Sequence, residues 1–89
     1  MNIEYDPIKN ERNISLRYLS FANVEAFDFE TARYCVDERY DYNEVRIRAI
    51  GLMGARLHVL VFVEITAGIR VISFRKANKR EEKMYVENS

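Results

Sequence analysis

Arginines recur in two alternating stretches of this chain, Glu44-Val45-Arg46-Ile47-Arg48 and Ile72-Ser73-Phe74-Arg75-Lys76. A guanidinium is a planar fork that stays charged at any working pH and grips phosphate through two N–H groups at once. Arg46, Arg48 and Arg75 gathered with Ser73 on one surface would suit a phosphodiester, and could stabilise negative charge as it builds in a phosphoryl-transfer transition state. Glu44 and His58 are the candidate proton acceptors. Lys76 and Arg80 could anchor a neighbouring phosphate, and the Tyr85 ring could stack on a base. Each residue also has a plainer use: arginines solvate the outer side of a half-buried sheet, a lone strand histidine packs in a core, and a helix tyrosine packs on a sheet. Cys35 is expected to be a buried strand residue. It has no partner for an internal disulfide, one Cys with one His is no usual metal-ligand set, and no carboxylate cluster suits a two-metal site. No metal or other cofactor is therefore expected.

Three runs must position the arginines. Glu44 to Leu52, Arg56 to Ile65 and Ile69 to Lys76 are rich in β-formers, are separated by glycine-bearing turns, and predict an antiparallel meander. A three-residue hairpin at Thr66-Ala67-Gly68, with Gly68 left-handed, sets Ile65 opposite Ile69 and Glu64 opposite Arg70. One face then gathers Val45, Ile47, Leu60, Phe62, Ile72 and Phe74 as core, covered by helices. The other gathers Val59, Val61, Val63, Val71 and Ser73, edged by Arg46, Arg48 and Arg75. A two-residue turn at Ala67-Gly68 would turn Ser73 and Arg75 toward the core. Burying an unpaired guanidinium is costly, so the longer loop is preferred.

Flanking signals complete the α+β outline. Ile3-Glu4-Tyr5 predicts a short strand stopped by Asp6-Pro7, an N-cap with proline in the first helical position. The helix runs from Pro7 to about Tyr18, with Ile8, Ile14 and Tyr18 as sparse apolar contacts. Ser20 caps a second short helix through about Phe27, in which Phe21, Val24 and Phe27 recur at helical spacing. Thr31 to Val36 predicts a strand, followed by an acidic, tyrosine-bearing loop over residues 37–43. Asn78 opens a last helix after Arg75-Lys76. With Glu81 three residues on, it forms an Asn variant of the capping box, which holds the nearby cations on rigid backbone.

At 89 residues the chain is expected to be one domain with a single modest core. Its composition, 48% hydrophobic and 31% charged, is that of a soluble globular protein, and no apolar run is long enough to span a bilayer. The N-terminus lacks the cationic and apolar regions of a secretory signal, so a cytoplasmic protein is expected. Net charge is zero but unevenly spread: residues 25–44 carry seven acids against two arginines, a local −5, whereas residues 69–85 carry six cations against two acids, a local +4. Such a chain could meet phosphate at its basic end and a basic partner at its acidic end.

The run Ile3-Glu4-Tyr5-Asp6-Pro7-Ile8-Lys9-Asn10, then Asn13, then Ser20-Phe21 with Ala26 and Phe27, resembles the opening signature of the BrnT family of ribonuclease toxins. Glu44-Val45-Arg46 leading to Ile50-Gly51 resembles a later block. Ile69 to Ala77 with Glu81 and Tyr85 resembles the family's closing strand, arginine and helix, the more specific of the motifs. The resemblance spans nearly the whole chain. It implies a RelE-like fold, cleavage of RNA, and neutralisation by a BrnA-type antitoxin with a ribbon-helix-helix DNA-binding domain; because no carboxylate cluster suits a two-metal site, the expected mechanism is metal-independent attack of the RNA 2′-hydroxyl on its own phosphate. Operator DNA would then be met only through the antitoxin, a homodimer and a heterotetramer with the antitoxin both stay open, and no membrane is involved. Where the family shows a basic-histidine-glycine step before Ser-Phe, this chain has Arg17-Tyr18-Leu19. That departure leaves open a toxin-like module that keeps its antitoxin and operon-binding roles but has weak or no catalysis.

Overall fold

The computed structural model describes residues 1–38 and 43–88; positions 39–42 of the expected acidic loop lie outside the described residues. The described residues form, in order, β1 (Asn2–Tyr5), α1 (Pro7–Arg17), a 3₁₀ helix (Phe21–Ala26), β2 (Arg33–Val36), β3 (Ile47–Met53), β4 (Arg56–Ile65), β5 (Gly68–Lys76) and α2 (Lys79–Glu87). The strands form one mixed sheet in the order β1-β5-β4-β3-β2. The expected meander is its centre. β1 extends it in parallel on β5, and β2 extends it antiparallel on β3. The architecture is α+β.

Local chemistry explains the element ends. The Asp6 carboxylate accepts from the amide of Ile8 and Pro7 takes the first helical position, so α1 starts where the sequence predicts. α1 ends at Arg17, with Tyr18 left-handed at φ 56°. Contrary to the expectation for α1, Ile8, Ile14 and Tyr18 all face solvent, Tyr18 being 91% exposed. A buried asparagine anchors the helix instead. Asn13 donates through Nδ2 to the carbonyls of Leu19 and Phe74, both at 2.9 Å. The Phe74 carbonyl lies past the last β1 partner on β5, so Asn13 satisfies an acceptor that β1 is too short to reach.

The segment after Ser20 is a 3₁₀ helix, and it buries the three residues the spacing predicts, Phe21, Val24 and Phe27. These pack with Leu19 on Ala49, Leu60, Phe62, Ile69, Val71 and Phe74 to form the core. Edge-to-face aromatic pairs run through it, Phe27 on Phe74 at 6.2 Å and Tyr5 on Phe21 at 5.8 Å. Cys35 corrects an expectation: it lies in β2 as predicted but is exposed, because β2 is an edge strand with no buried residue.

The β4–β5 register also differs from expectation, and the reason is instructive. Ile65 pairs with Gly68, Glu64 with Ile69 and Val63 with Arg70, so the connection is the two residues Thr66-Ala67. The left-handed residue is Ala67, at φ 67°, not Gly68. Gly68 is required for another reason: a Cβ there would lie 1.9 Å from the Asn2 carbonyl oxygen, because β1 passes directly alongside. A bulge between Val61 and Phe62 then takes up one residue of β5, and beyond it Val61 faces Ser73, Leu60 faces Phe74 and Val59 faces Arg75, the pairing the longer loop would give. The bulge exchanges two expected positions: Val71 is buried in the core, and Ile72 moves to the opposite face. Val45, expected in the core, precedes β3 and is exposed.

Candidate active site

The sheet face opposite the aromatic core carries a depression of about 290 Å³ lined by Asp37, Arg46, Arg48, Val59, Val61, Ile72, Ser73 and Arg75. Strand alternation delivers these side chains. Arg48 comes from β3, Val59 and Val61 from β4, and Ser73 and Arg75 from β5, with Ile72 turned to the same side by the bulge. Arg46 precedes β3 but is held in line with it, its carbonyl accepting from the Asp37 amide at 2.8 Å. The floor is aliphatic and the walls are guanidinium groups. In such a setting a phosphate would lose water and gain charge-assisted hydrogen bonds.

α2 crosses this same face and supplies the residue that organises it. Asn78 and Glu81 complete the capping box, with Asn78 Oδ1 accepting from the Glu81 amide at 2.8 Å and Glu81 Oε1 accepting from the Asn78 amide at 2.9 Å. The same Glu81 carboxylate takes both forks of Arg75, Nη1 to Oε1 at 2.8 Å and Nη2 to Oε2 at 2.9 Å, and also Arg48 Nη2 at 2.7 Å. Glu81 is buried. The hydrogen bonds from Arg75, and then those from the Asn78 amide and Arg48, outweigh burial and hold its pKa at about 2, below the usual 4.5. Sequence reading identified Glu81 as a cap only. Its spacing of six from Arg75 was visible, but its reach to Arg48 depends on the sheet register. α2 is fixed at its start by Arg56, which donates to the Ala77 carbonyl at 2.9 Å and pairs with Glu82 at 3.0 Å.

The structure therefore brings Arg46, Arg48 and Arg75 together, and leaves the other expected site residues outside the depression. Glu44 stands at its edge, with Arg70 at 2.7 Å and Arg46 at 3.7 Å, and does not line it. His58 is on the opposite side of the sheet, buried and stacked on Phe74 at 5.3 Å. Its Nδ1 lies 2.9 Å from the Arg56 carbonyl, and its Nε2 has no hydrogen-bond partner among the described residues. Burial is the main cause that pushes its pKa down. Lys76 and Arg80 are exposed at the end of β5 and in the first turn of α2, and neither lines the depression. Tyr85 faces the β2 edge, its hydroxyl donating to the Thr31 carbonyl at 3.0 Å and the Arg33 guanidinium 5.9 Å from its ring centre. The carboxylate that sequence reading missed is Asp37. It is buried and lines the depression, and the only signal for it was its place one residue after β2.

Tyr18 gains a structural meaning as well. A left-handed residue just past a helix C-terminus is the usual place of glycine, and Tyr18 takes that conformation here. Among the described residues, no three His, Cys, Asp or Glu side chains gather in a way that could hold a metal ion. None of the described helices is long and apolar enough to cross a membrane. A family described as the ribonuclease toxin BrnT of type II toxin-antitoxin systems matches this chain over residues 5–81. No curated protein matches it.

Proposed function

The chain belongs to the BrnT ribonuclease toxins of type II toxin-antitoxin systems, and on that footing we propose that it cleaves RNA in the arginine-walled depression, with Arg46, Arg48 and Arg75 around the scissile phosphate. In this reading the 2′-hydroxyl oxygen attacks the adjacent phosphorus, the bond from phosphorus to the 5′-oxygen breaks, and a 2′,3′-cyclic phosphate is left. The 2′-hydroxyl proton passes to Asp37, the carboxylate that lines the depression, and the departing 5′-oxygen takes a proton from water. Glu44 and His58 fall away as acceptors, one because it stands outside the lining of the depression, the other because the sheet separates it from the arginines. The chemistry uses charge and position, which the rigid strands supply. A RelE-like fold, work in the cytoplasm, and neutralisation by a BrnA-like ribbon-helix-helix antitoxin belong to the same reading.

One observation carries it: three guanidiniums converge on one aliphatic floor. Arg75→Ala is expected to lower RNA cleavage by more than about tenfold, the scale of one lost transition-state contact, while far-ultraviolet circular dichroism stays unchanged. Arg75→Lys, which keeps the charge but not the fork, should fall between. Unchanged rates in both would remove the depression from the reaction. The second reading, an antitoxin-binding module with weak or no catalysis, is favoured by the hold of Glu81 on two of the three arginines. Induced expression with and without the adjacent reading frame separates the two, since a module gives tight partner binding without growth arrest.

A further inference from the structure

Beside the arginine depression lies a second, of about 170 Å³, lined by Lys9, Arg12, Asn13, Leu16 and Arg17 of α1 with Phe21, Ile72 and Ser73. Ile72 and Ser73 line both. They can do so because the bulge turns two consecutive β5 residues to one side and makes a low saddle between the two hollows. The α1 side is strongly basic. Lys9, Arg12 and Arg17 are exposed, and no carboxylate among the described residues pairs with them. Arg17 donates to Asn13 Oδ1 at 2.8 Å, and Asn13 in turn holds the Phe74 carbonyl, one residue from Arg75. Arg17, and through the helix backbone the α1 face, is thereby tied to the strand of the arginine groove through the buried Asn13.

We propose that Lys9 and Arg12, with Arg17, form a second phosphate subsite, and that single-stranded RNA runs from the arginine groove across the Ile72–Ser73 saddle onto α1. The inference rests on the groove being the RNA site and adds the direction the strand takes from it. The saddle admits an extended, flexible strand, with a hydroxyl and an aliphatic surface beneath the sugar, and the basic α1 face meets the next phosphates. This also gives α1 a reason to lie with its isoleucines in solvent: it presents charge, while Asn13 and Asn10 tie it down.

The test uses the full-length protein and a short single-stranded RNA whose 2′-hydroxyls are methylated, so that binding is read without cleavage. Lys9→Ala/Arg12→Ala should weaken binding by roughly fivefold or more at low salt and reduce the salt slope by about 1.4, the share of two single-strand phosphate contacts. The control Lys79→Ala/Lys83→Ala removes the same charge from the exposed side of α2 and should change binding by less than about twofold. Equal losses in the two double variants would reduce the effect to net charge and overturn the subsite. A loss with Arg75→Lys but none with Lys9→Ala/Arg12→Ala would overturn the subsite and leave the groove standing. If the α1 variant binds RNA normally and loses only the antitoxin, the surface belongs to the protein partner and the inference falls. A wild-type protein that binds no RNA at low salt would sink both the groove and the subsite.

Discussion

Glu81 shows how one carboxylate can serve a helix and a site together. It closes the α2 capping box and binds two guanidiniums, so the strand arginines and the helix end are set by the same atoms. Its folded pKa of about 2 lies below the ordinary 4.5, so its charged form is favoured in the native state. The stability this brings is present above pH 4.5 and is lost as pH falls from there through 2, on the order of 3 kcal/mol for such a shift. Glu81→Gln should lower the urea midpoint at neutral pH, and its gap from the wild type should close as the pH drops through that window. His58 acts in the same direction at higher pH: its folded pKa is depressed, so its neutral form adds stability above about 6.5 that is lost as pH falls through the lower folded value. At this scale the sequence predicts three arginines on one face, because guanidinium chemistry is legible in residue type, and they do line one depression. The place of Asp37 beside them and the reach of Glu81 to Arg48 are not legible, because both depend on which strand lies next to which.

Among the elements, the strands were legible and their joins were not. The runs that become β3, β4 and β5 follow from β-propensity and glycine spacing, but the turn was assigned to the wrong glycine role. Gly68 is needed for the close pass of β1, a parallel partner that no local pattern in residues 66–68 reveals. Gly68→Ala should therefore cost about 1–3 kcal/mol, as overpacking against backbone does, and release β1 first, which amide hydrogen exchange at Ile3 and Tyr5 would report. Tyr18 makes the opposite case. It is 91% exposed and left-handed, so it contributes little packing and carries backbone strain. Tyr18→Gly is expected to raise stability by about 1 kcal/mol, measured by thermal or denaturant unfolding. The apolar residues of α1 suggest a packed face, whereas the buried Asn13 and, beside it, Asn10 do the anchoring.

Taken whole, the molecule is a sheet with two unlike faces: an aromatic core under the 3₁₀ helix on one, a charged groove partly roofed by α2 on the other. The division was legible in the alternation of β3 and β4, and the arginine face came out as expected although the turn beside it did not. The bulge reconciles the two, and it has a consequence for length variation in this strand. Because pairing steps from Phe62–Val71 to Val61–Ser73, Ile72 has no partner of its own, and excising it would leave every remaining β5 side chain on its present side of the sheet. Deleting a neighbour such as Ser73 gives the same outcome only if Ile72 takes over its pairing. A protein lacking Ile72 should thus keep its near-ultraviolet circular dichroism and its core aromatic packing, and read as a plain hairpin that has shed one inserted residue.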